Sequence, residues 1–143
     1  DFKKLFDSIN TDNIMVLGRN NKDIYNVIGK DMDFSNNFII YKDKNIYYKT
    51  IHKSKGLEED DIIIINLTNE TNSLPSKIKD ETILKYVLIH KDIYPFEEER
   101  RLFYVALTRT KNYCYLFVPK NNPSIFVEEL VKYYKKYITI IDL

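Results

Sequence analysis

Cysteine, arginine and alanine are scarce in this sequence of 143 residues, and tryptophan is absent. Cys114 is the single cysteine, which excludes an internal disulfide framework or a metal site built from several cysteines and favours a reduced, cytoplasmic setting. The sequence has no run of about 18 apolar residues and no signal-peptide pattern, which argues against membrane insertion and secretion. A formal net charge of +1 provides no general basic field, so contact with nucleic acid would require a local patch.

Arginine is the most informative of these scarce residues. The chain has 18 lysines but only four arginines, Arg19, Arg100, Arg101 and Arg109. Ile, Lys, Asn and Tyr supply 64 of the 143 residues, which indicates a drift toward amino acids with A- and T-rich codons. Lysine replaces arginine in such a drift wherever a simple positive charge suffices. We therefore interpret the four arginines as positions that need the forked donors of a guanidinium, for example against an anion.

The apolar pattern predicts one domain over residues 1–143. Predicted strands cover residues 13–18, 37–42, 46–51, 61–67, 113–118 and 137–142, and predicted helices cover residues 22–30, 81–90, 96–108 and 124–136. The strands at 61–67 and 113–118 are apolar without alternation, as expected for strands buried on both faces. Alternating strands and helices of this kind predict an α/β domain with a mostly parallel sheet.

The stretch "EEERRLFYVALTRTK", residues 97–111, contains three of the four arginines. Arg109 closes the predicted helix, where a cation is favourable beside the carboxyl end of the helix dipole. Lys111 could serve the same electrostatic purpose, and Ala106, the single alanine, predicts close packing beneath this turn. A role for Arg109 in binding an anion and a role as a helix cap both remain open from the residues alone.

The stretch "TIHKSKGLEEDD", residues 50–61, is the second candidate site. Gly56 allows a positive φ or the close approach of a ligand. His52, Lys53 and Lys55 supply hydrogen-bond donors, and Glu58 supplies a carboxylate. Because ligands of parallel sheets bind beyond the carboxyl ends of strands, we expect residues 52–58 in that region, together with Arg19; an ordinary solvated turn is the alternative.

Several other chemistries find no support in the sequence. His52 and His90 are too few and too far apart for a metal site, so no metal is predicted. A Ser-His-Asp arrangement cannot be placed, and the Walker A spacing does not occur.

Three stretches resemble, in this order, the C-terminal motor domain of superfamily 1A helicases of the UvrD/Rep type. Motif IV resembles "NIMVLGRNN", motif V resembles "TIHKSKGLEEDDIIIINL", and motif VI resembles "EEERRLFYVALTRTKN". The resemblance spans roughly residues 13–118 and is most similar to the helicase IV branch. It implies a RecA-like three-layer sandwich, the P-loop NTPase fold, in a second motor domain without its own Walker A.

The resemblance implies roles for four residues around ATP. Arg109 would be an arginine finger on the γ-phosphate of ATP bound by the N-terminal motor domain of the same protein, which would also hold most of the Mg²⁺ ligands. Arg19 would be a second contact to that phosphate. Gly56 and Glu58 would face the nucleotide, with the glutamate toward the ribose. Without Walker A and Walker B, the chain alone is expected to be inactive.

The resemblance also implies that Thr50 and His52 contact the backbone of single-stranded DNA. The chain would then be a piece of a longer ATP-dependent helicase that moves 3′ to 5′ and acts in DNA repair. It departs from the family pattern at Gly18, where many relatives carry an aromatic residue that stacks on adenine. Two alternatives stay open: a helicase-like ATPase that acts on RNA polymerase, and a non-catalytic interaction domain with a decayed helicase fold.

Overall fold

A computed structural model describes residues 1–29, 32–78 and 95–143. Six strands form one sheet in the order β2-β3-β4-β1-β5-β6. The strands are β1 Asn13–Gly18, β2 Asp33–Ser35, β3 Phe38–Tyr41, β4 Lys44–Thr50, β5 Glu59–Ile64 and β6 Thr110–Leu116. The pairings among β4, β1, β5 and β6 are parallel, whereas β2 and β3 extend the sheet in antiparallel fashion. The sheet is therefore mixed and mostly parallel, as the sequence predicts.

Helices cover both faces of this sheet. The described α-helices are α1 Phe2–Ser8, α2 Glu97–Leu107 and α3 Ile125–Tyr134, and short 3₁₀ turns lie at Asp23–Asn26, Ile51–Ser54 and Lys135–Tyr137. The core on one face contains residues of α1, and the core on the other face contains residues of α2 and α3. Together these layers confirm the predicted α/β, RecA-like arrangement. No helix in the described residues is both long and apolar enough to cross a membrane.

The central strand β1 contributes to both cores because successive side chains of a strand point to opposite faces. Ile14 and Val16 pack on the α1 side, and Met15 and Leu17 pack on the α2 side. All four side chains are fully buried. The uninterrupted apolar run is thus the signature of a strand covered on two sides.

Helix α2 lies against the sheet through Leu102, Phe103 and Ala106, which are buried. The ring of Phe103 stacks on Phe126 of α3 with centroids 5.3 Å apart, and Ala106 has no exposed surface. Three glutamates in the first turn are favourable there because they face the positive end of the helix dipole. The close packing predicted at the single alanine is confirmed.

Some predicted elements are wrong. Of the predicted helix at 22–30, the described residues 22–29 contain only the 3₁₀ turn Asp23–Asn26, because the Asp23 carboxylate accepts the Asn20 backbone N–H and so favours a turn. Residues 137–142 form no strand: Ile140 and Ile141 are exposed, since strand propensity without a pairing partner does not make a strand. The predicted helix at 81–90 lies outside the described residues, and α1 and β2 were not predicted.

Candidate functional site

The two arginines assigned by resemblance to one phosphate lie at opposite edges of the sheet. Arg19 follows the last residue of β1, at the edge formed by the carboxyl ends of the parallel strands, called here the carboxyl edge. Arg109 directly precedes β6, at the edge where β5 and β6 begin, called here the amino edge. A six-residue strand such as β5 spans about 20 Å, and α2 with its 11 residues spans about 16 Å. The fold therefore places Arg19 and Arg109 at opposite edges of the sheet, and their contact with one phosphate stays a prediction.

The segment at residues 51–58 connects the same two edges. Strands β4 and β5 are both parallel to β1, so the chain must return from the end of β4 to the start of β5 within these eight residues. Ile51 is buried in the core that α2 shares, whereas Gly56 and Glu58 are exposed. The expectation that all of residues 52–58 lie at the carboxyl edge is wrong for the second half: His52 lies there, but Glu58 directly precedes β5 at the amino edge.

The amino edge brings Arg109, Gly56 and Glu58 together. Arg109 donates from Nε to the Val105 carbonyl at 3.0 Å and from Nη1 to the Leu57 carbonyl at 3.4 Å. Leu57 stands between Gly56 and Glu58, so the guanidinium lies beside both predicted nucleotide-facing positions. The backbone N–H of Glu59 donates to the Arg109 carbonyl at 3.1 Å, which fixes this turn to the start of β5.

Gly56 has the positive φ that the sequence allowed, at 80°. A Cβ at this position would have no atom within 4 Å, so the glycine leaves open space above the turn. Glu58 is exposed on the same turn. The amino edge thus presents a guanidinium, a carboxylate and an uncovered stretch of backbone to the outside of the domain.

Arg109 differs from the other arginines because its guanidinium has no carboxylate partner among the described residues. The other pairs are Arg19 with Glu99, Arg100 with Glu129, and Arg101 with both Glu97 and Glu98. Within the described part of the chain, the remaining hydrogen bond of Arg109 runs from Nη2 to the Thr108 hydroxyl at 3.2 Å. The interpretation of arginine scarcity is therefore modified: three guanidinium groups form ion pairs within the domain, whereas the guanidinium of Arg109 pairs with no carboxylate of the described residues.

A groove of about 620 Å³ opens at the carboxyl edge. Its lining residues are Arg19, Asn20, Asn21, Lys22, Asp23, Asn26, Thr50, His52, Lys53 and Asn72. Among them, the cations are Arg19, Lys22 and Lys53. The one carboxylate is Asp23, which accepts the backbone N–H of Asn20. The lining thus carries more cationic than anionic side chains, although Arg19 is paired with Glu99. No sequence pattern identified the asparagines of this groove as candidate site residues.

Of the two predicted DNA contacts, His52 is exposed and Thr50 is buried at the end of β4. Partial burial lowers the pKa of His52 below its usual value of 6.5, and the nearby cations of Arg19 and Lys55 lower it further. The imidazole is therefore neutral at pH 7 and can either donate or accept a hydrogen bond.

Gly18 is required by the packing behind the groove. A Cβ on Gly18 would lie 2.3 Å from Oη of Tyr48 and 2.9 Å from Cβ of Asp23. The Tyr48 hydroxyl donates to the carbonyl of Asn20, and the Asp23 carboxylate accepts the N–H of the same residue at 2.9 Å. This position faces the domain interior, so the aromatic side chain found in relatives has no space here.

Comparison with known proteins gives consistent results. Residues 3–121 match the family of UvrD-like helicase C-terminal domains. DNA helicase IV of Escherichia coli K12 is 39% identical over 85 residues, which are 59% of this chain and 12% of that protein. The Bacillus subtilis protein YjcD, named as a candidate ATP-dependent DNA helicase, is 42% identical over 72 residues, which are 50% of this chain and 9% of that protein.

A DNA helicase II homolog of Mycoplasma pneumoniae is 37% identical over 75 residues, or 52% of this chain and 9% of that protein. The matches thus span about a tenth of the length of these curated relatives. No solved structure matches the chain significantly. Because the family match covers most of the chain, and the fold agrees with it, the chain belongs to the family of UvrD-like helicase C-terminal domains.

Proposed function

We propose that this chain is the C-terminal motor domain of an ATP-dependent DNA helicase that moves 3′ to 5′ on single-stranded DNA. The observation that carries the proposal is the half-buried Arg109 at the amino edge: its guanidinium has no carboxylate partner in the described residues and lies beside Gly56 and Glu58. These residues fit a nucleotide phosphate and ribose. ATP would be bound mainly by the N-terminal motor domain of the same longer protein, which would also hold the Mg²⁺.

In this proposal Arg109 acts across the interface between the two motor domains. Phosphoryl transfer spreads negative charge over the γ-phosphate oxygens, and an arginine supplied from outside stabilises that charge by about 10³- to 10⁵-fold in rate. Lysine cannot replace it because an ammonium lacks the planar fork. Glu58 would accept hydrogen bonds from the ribose, and Gly56 would let the nucleotide approach the backbone.

We assign Arg19 to the same site as Thr50 and His52, and not to the nucleotide site that contains Arg109. All three line the groove at the carboxyl edge, where Lys53 adds a further cation. We assign this groove to the phosphate backbone of single-stranded DNA, which needs cations and hydrogen-bond donors more than base recognition. The DNA-binding groove at the carboxyl edge and the nucleotide-binding residues at the amino edge would then lie at opposite ends of the domain.

The lowered pKa of His52 gives the proposal a pH dependence. A bound phosphate stabilises the imidazolium and raises the pKa of His52 again, so DNA binding takes up a proton as the pH falls toward that raised pKa. We expect affinity for single-stranded DNA to rise by about threefold between pH 7.5 and pH 6.0. Fluorescence anisotropy with a labelled oligo(dT) measures this. His52→Gln, which stays neutral, should remove the rise; an equal rise in that variant would contradict the assignment.

The proposed function is tested by ATP hydrolysis of the full-length protein that contains this chain, with and without single-stranded DNA. Stimulated hydrolysis together with unwinding of a duplex that carries a 3′ overhang is the expected result. Stimulation without unwinding, and with capture of RNA polymerase, would instead favour a motor that acts on the polymerase. Absence of any ATP hydrolysis would overturn the proposal in favour of a non-catalytic interaction domain.

A further inference from the structure

The guanidinium of Arg109 has a hydrogen-bond acceptor at each of its three nitrogens. Nε donates to the Val105 carbonyl at 3.0 Å, Nη1 to the Leu57 carbonyl at 3.4 Å and Nη2 to the Thr108 hydroxyl at 3.2 Å. A planar group that is bonded at three corners cannot turn about its bond to Cδ without breaking at least one of these hydrogen bonds. The orientation of the guanidinium is therefore set within the domain.

These hydrogen bonds leave part of the guanidinium unused. The group has five N–H donors, one on Nε and two on each Nη. Three of them are bonded within the described part of the chain, so one N–H remains on each Nη. All three acceptors are uncharged, and neutral oxygens do not cancel the positive charge of the group. Arg109 is thus an ordered cation with two further donors.

Thr108 supplies the side-chain acceptor of this set, whereas Val105 and Leu57 contribute backbone carbonyls. The Thr108 hydroxyl donates to the last turn of α2, where the carbonyls of Tyr104 and Val105 each lie 3.1 Å away. Because its hydrogen is used in this way, the hydroxyl oxygen serves as the acceptor for Nη2 of Arg109. Threonine is also branched at Cβ, which restricts rotation about χ1. Thr108 therefore fixes the guanidinium relative to the end of the helix.

We propose that Thr108 is a positioning residue for Arg109 in ATP hydrolysis. Its hydroxyl holds Nη2, so that the guanidinium is already ordered when the γ-phosphate of ATP arrives from the N-terminal motor domain. Rotational freedom that Arg109 would otherwise lose in the transition state is then restricted in advance by the fold. The inference rests on the proposed function, since it assigns the γ-phosphate to Arg109. It adds a residue that acts through Arg109 without touching the nucleotide.

Thr108→Val tests this role, because valine keeps the branched shape and removes the hydroxyl. In the full-length protein we expect kcat for ATP hydrolysis at saturating oligo(dT) to fall by about tenfold, with KM for ATP changed by less than about twofold. Thr108→Ser restores the hydroxyl and should recover most of the loss. An unchanged kcat in a folded Thr108→Val protein, or a loss that serine does not recover, would overturn the proposal.

Thr110→Val is the matched control on the other side of Arg109. The Thr110 hydroxyl donates to the carbonyls of Asp60 and Tyr113, at 3.1 Å and 2.7 Å, and neither hydrogen bond involves the guanidinium. Both valine variants remove a hydroxyl that binds the backbone near this turn, so they are matched for effects on folding. We expect Thr108→Val to lower kcat and Thr110→Val to leave it unchanged. An equal loss in both would assign the effect to the turn and overturn the positioning role.

A double-mutant cycle shows whether Thr108 acts through Arg109. In an Arg109→Ala background, Thr108→Val should change kcat by less than about twofold, because the group that it positions is absent. A further tenfold loss in that background would contradict the positioning role. The cycle also separates this inference from the proposed function. Full activity in Arg109→Ala overturns the arginine finger and the positioning role together, whereas loss in Arg109→Ala with full activity in Thr108→Val overturns the positioning role alone.

Discussion

Replacement of Arg109 by alanine in the full-length protein is expected to lower kcat for ATP hydrolysis by about 10³- to 10⁵-fold. The reason is that the guanidinium of Arg109 binds two carbonyls and a hydroxyl but no carboxylate of the described residues, so its charge can stabilise an external phosphate. Arg109→Lys should recover little activity, because the ammonium cannot reproduce two parallel donors. Steady-state kinetics at saturating ATP and oligo(dT) measure both variants.

The competing explanation is that Arg109 only caps α2. Alanine removes the hydrogen bonds of Arg109 to Val105, Leu57 and Thr108, and each such bond contributes about 0.5–1.5 kcal/mol to the free energy of unfolding. A cap therefore predicts a lower melting temperature with hydrolysis largely retained. Arg101→Ala is the matched control, since Arg101 is exposed on the same helix and pairs with glutamates of the first turn. Loss of activity in both variants to the same extent would contradict the finger assignment.

The residues of the amino edge could be named from the sequence, although their place in the fold could not. Arg109, Gly56 and Glu58 belong to two short motifs, and each motif folds locally: α2 ends just before Arg109, and the turn with Gly56 ends at β5. Pairing of β5 with β6 then brings the two motifs together. The buried strands were also predictable, because their side chains must be apolar on both faces.

The separation of Arg19 from Gly56 and Glu58 could not be predicted in this way. Sequence order does not show that the eight-residue connection after β4 returns across the sheet, so both halves of that motif were expected at one edge. Nor does it show that Glu99 reaches Arg19 across 80 positions of the chain. Such a contact depends on how α2 lies on the sheet, and no local pattern encodes it. The same holds for residues 137–142, whose strand propensity finds no partner in the described fold.

Replacement of Gly18, which lies behind the groove, by alanine is expected to lower the stability of the domain strongly. The new Cβ would lie 2.3 Å from Oη of Tyr48 and 2.9 Å from Cβ of Asp23, and both neighbours are buried. Overpacking of this kind costs about 1–3 kcal/mol of the free energy of unfolding. For a domain of this size, that lowers the melting temperature by about 3–12 °C. Thermal unfolding of the domain followed by circular dichroism measures the change.

A double-mutant cycle with Tyr48→Phe tests whether the contact with the hydroxyl is the cause. Tyr48→Phe alone loses the hydrogen bond to the Asn20 carbonyl, at a cost of about 1 kcal/mol. It also removes the atom that the new Cβ would meet first, so Gly18→Ala should cost less in that background, by about 1 kcal/mol. Strictly additive losses would show that Asp23, rather than Tyr48, excludes a side chain here. Tyr48 and Asp23 both bind the backbone of Asn20, the neighbour of Arg19. Their positions shape the turn that forms the groove and leave no space for a side chain at Gly18, which explains the glycine.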